Sequence, residues 1–126
     1  MILPEINAEV SKEKVFELCK YYKLDNLLDI LEKDYPLKPF KTDGASCFPD
    51  QIGKVYIYEA AVLHDLKYWC GYKGDDNGRF MADLELARDV VLLCNGSVRL
   101  AELMFTGVRL GGGISFAPWR WGYGRD

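Results

Sequence analysis

The chain contains one histidine, His64, in the run His64-Asp65-Leu66-Lys67-Tyr68. A single imidazole excludes metal centres that need two or three histidine ligands, and metal-dependent phosphohydrolase chemistry with them. One histidine can still act as a general base or as a structural donor. On a helix His64 and Tyr68, four residues apart, share a face. Asp65 is rotated by about 100° from His64, because a helix turns once in ~3.6 residues. The helix therefore offers a base in one sector and a carboxylate in the next. A base needs an orienting group that fixes its tautomer and stabilises its charged form. Asp83, in Arg79-Phe80-Met81-Ala82-Asp83, lies about one turn into the following helix, a place from which it can face His64 across the helix pair. It falls among Phe80, Ala82, Leu84 and Ala87, near the side expected to be buried, where a carboxylate needs a partner. Asp89 is the alternative orienter, further from the turn. Asp65 can serve the preceding loop, where Asp43-Gly44 and Asp50 supply carboxylates and backbone carbonyls. Such oxygen ligands suit a calcium ion. A base beside that ion is a hydrolytic arrangement: the base activates water, and the cation holds the substrate and its oxyanion. Plainer pairings are open to the same groups, Asp65 with Lys67 or Lys54 and Asp83 with Arg79, one helical turn earlier.

The elements that must position these residues read as helices. Ser11 is placed to cap a first helix with an apolar stripe at Val15, Phe16, Leu18, Cys19 and Tyr22. Asp25 is placed to cap a second helix carrying Leu27, Leu28, Ile30 and Leu31; Pro36 and Pro39 close this N-terminal region of 8–35. Residues 40–54 have loop chemistry, with Gly, Pro, Asp and Ser in quick succession. The spacing predicts site helices over 55–72 and 79–95, joined by a short turn at Lys73–Gly78 and so antiparallel neighbours. The expected apolar face of the second is Phe80, Leu84, Ala87, Val90 and Val91. Asn95-Gly96 stops it, and Ser97 caps a last helix over 97–110 that Gly111-Gly112-Gly113 ends. An aromatic tail, 114–126, follows, with Trp119, Trp121 and Tyr123 either at a lipid interface or folded back over apolar core. Little reads as strand. The fold class expected is all-α: one small helical domain over 1–126, with two antiparallel core helices carrying the site and a metal-binding loop before them.

Composition narrows the partners. The chain has 126 residues, enough to bury a core without staples, and its net charge is −3. No basic block is present, which argues against nucleic acid. No apolar run approaches the ~20 residues of a transmembrane helix. The opening Met1–Glu5 carries no secretory signal, so a cytoplasmic location or delivery by a leaderless route is expected. Cys19, Cys47, Cys70 and Cys94 have no zinc-ligand spacing and are expected as free thiols.

The ordered set of motifs resembles the bacterial and fungal branch of secreted phospholipase A2. That branch combines an Asp-containing calcium loop, an H-D-x-x-Y helix and a following helix with a second Asp. The resemblance implies His64 as general base, Asp65 as a calcium-binding carboxylate, and Tyr68 as the tyrosine that hydrogen-bonds the second Asp, Asp83. It implies Thr42-Asp43-Gly44 as the loop that binds calcium through the Asp43 side chain and the Gly44 carbonyl. Val108-Arg109-Leu110-Gly111 is similar to the end of the branch's last helix, so the resemblance covers roughly Thr42 to Gly112. Cysteines that in the branch bridge the loop to the catalytic helix are replaced at the matching places by Ala45 and Ala61. The segment is also similar to a family of phage and bacterial proteins that share T-D-x-x-S, L-H-D, R-x-x-A-D and G-V-R-L-G motifs, from which no activity follows. Thr42–Ser46, Leu63-His64-Asp65, Arg79–Asp83 and Gly107–Gly111 fit those motifs. Two functions are expected from these readings. One is a calcium-dependent hydrolase of phospholipid esters, acting at a lipid interface or as a delivered effector. The other is a non-catalytic binding protein that keeps His64, Tyr68 and Asp83 as a buried network.

Overall fold

The computed structural model describes residues 1–42, 51–112 and 120–126. The chain is mostly helical, in keeping with a small all-α domain. Helix α1 spans Lys12–Tyr21, and the Ser11 hydroxyl accepts from the Lys14 amide at 3.2 Å as its N-cap. Its buried residues are Val15, Leu18 and Cys19. The helix ends on Lys23, at φ 57°, with amide bonds from Lys23 to the Lys20 carbonyl and from Leu24 to the Cys19 carbonyl. That pair of bonds closes the helix end as a Schellman motif. Helix α2, Asp25–Lys33, follows at once. Asp25 therefore sits inside its first turn rather than at the cap, which falls to Leu24 with no side-chain bond. There its carboxylate still complements the positive end of the helix.

Part of the stretch expected as loop is a small hairpin, β1 (Gln51–Ile52) against β2 (Val55–Tyr56). Gly53, at φ 61°, occupies the first turn position, where a two-residue hairpin loop needs a left-handed residue. The hairpin takes up Val55 and Tyr56, so the first site helix, α3, begins at Tyr58 and ends at Cys70. Helix α4 spans Asp76–Leu92. It starts three residues before the expected Arg79, because the Asp75 carboxylate caps it by accepting from the Gly78 amide at 3.0 Å. Helix α5, Val98–Gly111, is capped by Ser97, whose hydroxyl accepts from the Leu100 amide at 3.1 Å.

Every residue of α3 from Ala60 to Cys70 is buried. A helix buried all round must be covered from more than one side. On one side Leu66, Trp69 and Cys70 join Val15, Cys19, Leu31 and Phe40 in a core shared with α1 and α2. On the other, Ile57 and Ala60 join Leu86, Val90, Ala101 and Met104 from α4 and α5. The buried face of α4 is Ala82, Asp83, Leu86, Asp89 and Val90. Phe80 and Leu84, expected inside, are each 40% exposed. The inward pull of Asp83 and Asp89 turns the helix away from its most apolar stripe. Phe80 packs instead on the ring of Phe105 and under the Arg109 guanidinium.

The tail folds back. The Gly122 amide donates to the Tyr68 carbonyl at 2.7 Å, and a 3₁₀ turn, Tyr123–Arg125, lies along the end of α3. Gly71 leaves room for the Trp121 ring, which a Cβ there would overlap. Trp119 lies outside the described residues. Cys19, Cys70 and Cys94 are free thiols; Cys47 lies outside the described residues. Among the described residues, no helix is long and apolar enough to cross a membrane.

Candidate functional site

His64 and Tyr68 leave the same face of α3 and meet α4 at one carboxylate. His64 Nε2 lies 2.7 Å from Asp83 Oδ1, and the Tyr68 hydroxyl donates to the same oxygen at 2.7 Å. The two rings stand 4.3 Å apart between centroids. Asp83 has no exposure at all. Its second oxygen, Oδ2, accepts from the Arg109 guanidinium of α5 at 2.8 Å, and Arg79 stands 3.7 Å away. Arg79 also donates to the Tyr68 hydroxyl oxygen at 3.2 Å and to the carbonyls of Val108 and Arg109, both at 3.4 Å. Three helices thus converge on a single buried carboxylate, and the end of α5 closes over Tyr68. Gly112 makes that closure possible, since a Cβ there would overlap the tyrosine hydroxyl.

The electrostatics follow from this packing. Burial pushes the Asp83 carboxyl up, but hydrogen bonds from His64, Tyr68 and Arg109 outweigh it, and the carboxyl is held below its usual range. Burial pushes the His64 imidazole down, and the opposing pull of Asp83 does not overcome it. The pair is therefore a neutral imidazole against an ionised carboxylate. An ionised carboxylate only accepts, so Nε2 carries the proton and Nδ1 holds a lone pair. Among the described residues, only Asp83 hydrogen-bonds His64. No fully buried side-chain nitrogen or oxygen among them lacks a partner. His64 keeps 7% of its surface exposed. Burial, followed by the Asp83 charge and hydrogen bond, pushes the Tyr68 phenol up, so it stays a donor.

Asp65 points into the neighbouring sector, as the helical rotation requires. Its Oδ2 accepts from the Thr42 hydroxyl at 2.6 Å, and both residues are buried. The Tyr123 hydroxyl donates to the Asp65 carbonyl at 3.3 Å and the Lys41 carbonyl at 2.9 Å, holding the 41–42 segment against α3. Asp43 and Gly44, expected as the other calcium ligands, and Asp50 lie outside the described residues. Asp65 and Thr42 bring oxygen donors only, which fit calcium and not a soft metal. Among the described residues, no three His, Cys, Asp or Glu side chains gather as a metal-holding group.

The other groups weighed from the sequence have separate places. The Lys67 ammonium lies 3.6 Å from Glu85 of α4. Asp89 is buried but bound by Arg88 at 3.2 Å, one turn and a half beyond Asp83, so it does not orient His64. Arg79 does pair with Asp83, and it does so alongside His64 rather than in its place. Arg109 is the residue that the spacing of the site helices did not mark; its only sequence signal is its place in Val108-Arg109-Leu110-Gly111. No family model, curated protein or solved structure matches the chain.

Proposed function

We propose that the chain is a calcium-dependent hydrolase of phospholipid carboxylic esters, with His64 as its base. The observation that carries this reading is the ionised, fully buried Asp83 holding His64 as the Nε2–H tautomer, with no hydrogen bond to Nδ1 among the described residues. In the reaction Nδ1 takes a proton from water as the water oxygen forms a bond to the ester carbonyl carbon. The imidazolium so formed is stabilised by Asp83, which Tyr68 and Arg109 keep in place. As the carbon–oxygen bond to the alcohol breaks, the same proton passes from Nδ1 to the leaving oxygen, and His64 returns to its neutral form. Calcium held by Asp65, Asp43 and Gly44 would supply positive charge to polarise the ester carbonyl. The phospholipid class rests on the resemblance of the ordered motifs. A second reading, a non-catalytic binding protein, draws on the deep burial of the same network, in which both Asp83 oxygens are hydrogen-bonded without any substrate.

Fatty-acid release from phospholipid vesicles, with calcium or with chelator, tests the proposal. The wild-type chain is expected to release fatty acid only with calcium, and His64→Gln to lose about 10²–10⁴-fold of that rate. Calcium is expected to raise the melting temperature by mass action, and Asp65→Asn to abolish the rise. Release that ignores calcium, or that survives His64→Gln, would sink the hydrolase reading. A melting temperature unmoved by calcium as well would leave the binding protein.

A further inference from the structure

The dyad leaves one buried cation unused. Lys67 of α3 is only 8% exposed. Its ammonium has three protons to donate. Among the described residues, its ion-pair partner is Glu85 at 3.6 Å, longer than a good hydrogen bond. Glu85 is shared with Arg88, at 3.7 Å. The Lys67 side chain lines an opening between the helices.

That opening is a cleft of about 410 Å³ between α2 and the junction of α3 with α4. Leu24, before α2, and Leu27 and Ile30 of α2 give it an apolar lining, together with Trp121. Lys67, Glu85 and Arg88 give it a polar one. Neither His64, Tyr68 nor Asp83 lines it. A buried ammonium whose described ion-pair partner stands beyond good hydrogen-bond distance, beside an aliphatic wall, is matched by a ligand with an acceptor head and an apolar body. Glu85, with Asp25 and Asp75 also lining the cleft, opposes a doubly charged head. The volume is that of a small-ligand site.

We propose that this cleft binds a small amphipathic monocarboxylate, with its carboxylate on Lys67 Nζ and its apolar body along Leu24, Leu27 and Ile30. The site is independent of the ester-hydrolase reading, since it shares no residue with the dyad.

Calorimetric titration of the full chain with decanoate tests it, with decylamine, decanol and inorganic phosphate as comparison probes. Decanoate is expected to bind with a Kd below about 1 mM, and decanol at least about tenfold more weakly. Decylamine and phosphate are expected not to bind. Lys67→Met keeps the length of the stem and removes the charge; it should weaken decanoate at least about tenfold with an unchanged circular dichroism spectrum. A readout on the wild-type chain does not depend on that variant folding: decanoate should protect Lys67 from reductive methylation, measured by peptide mass spectrometry. The proposal is overturned by an absence of decanoate binding, or by decylamine or phosphate binding as tightly as decanoate. Decanoate affinity unchanged in a folded Lys67→Met chain, or a Lys67 methylation rate indifferent to decanoate, overturns it equally.

Discussion

Asp83 is the residue on which the site depends, because it is a charge with no exposure and its compensation comes from four side chains. Removing one partner of a buried ionic network strands the others. Asp83→Ala is expected to lower unfolding free energy by about 3–5 kcal/mol in urea titration, and Asp83→Asn, which keeps an acceptor, by less. The pH dependence has a definite sign. The His64 imidazole is pushed below its ordinary 6.5 by burial, so on acidification the unfolded chain takes up this proton before the folded one. Its contribution to stability is complete above pH 6.5 and is lost as pH falls from there through the folded-state value. Asp83, held below its ordinary 3.8, adds a loss of the same sign in stronger acid. The melting temperature of the wild-type chain should therefore fall below pH 6.5, and His64→Gln should flatten the first part of that fall. His64, Tyr68 and Asp83 were legible as a group because helical periodicity alone puts the first two on one face and a short turn brings the third back to them. Arg109 was not, since it arrives from a third helix, 26 residues from Asp83, and no local period reports such a meeting.

At the scale of elements, the helices were legible and their ends were less so. Ser11 and Ser97 announce α1 and α5 by their cap chemistry, and both make the expected bond. The hairpin at 51–56 was hidden in a stretch rich in loop residues. Its signal was Gly53-Lys54 between two short apolar-containing pairs, too brief for alternation to show. The face of α4 was legible in part: Val90 is buried and Ala87 and Val91 pack against the core, as expected, but apolar periodicity does not report that Asp89 also goes in beside Asp83 while Phe80 and Leu84 stay half out. One close approach between elements is at Gly112, against Tyr68. Gly112→Ala is expected to push the tyrosine off Asp83 and to destabilise by about 1–3 kcal/mol, as overpacking does. In a Tyr68→Phe background the hydroxyl is gone and the same substitution should cost less, a coupling that a double-mutant cycle measures.

Across the whole molecule, α3 is an axis wrapped by α1 and α2 on one side, α4 and α5 on the other, and the returning tail at its end. The all-α class was legible from composition and spacing. The tail's path was not, because it is set by bonds with no sequence period: Gly122 to the Tyr68 carbonyl, and Arg125 to the carbonyls of Cys70 and Asp34. The convergence on Asp83 has a consequence for how the native state opens. α4 cannot detach from α3, nor α5 from either, without uncovering a buried charge. Their amide protons should therefore exchange with solvent in one concerted event at the free energy of global unfolding. Helix α2, with Leu31 as its one buried residue and no side-chain cap, carries no such constraint and should exchange earlier, at lower cost. In Asp83→Asn the lock is weakened, and hydrogen exchange followed by mass spectrometry should show α5 leaving the concerted group first.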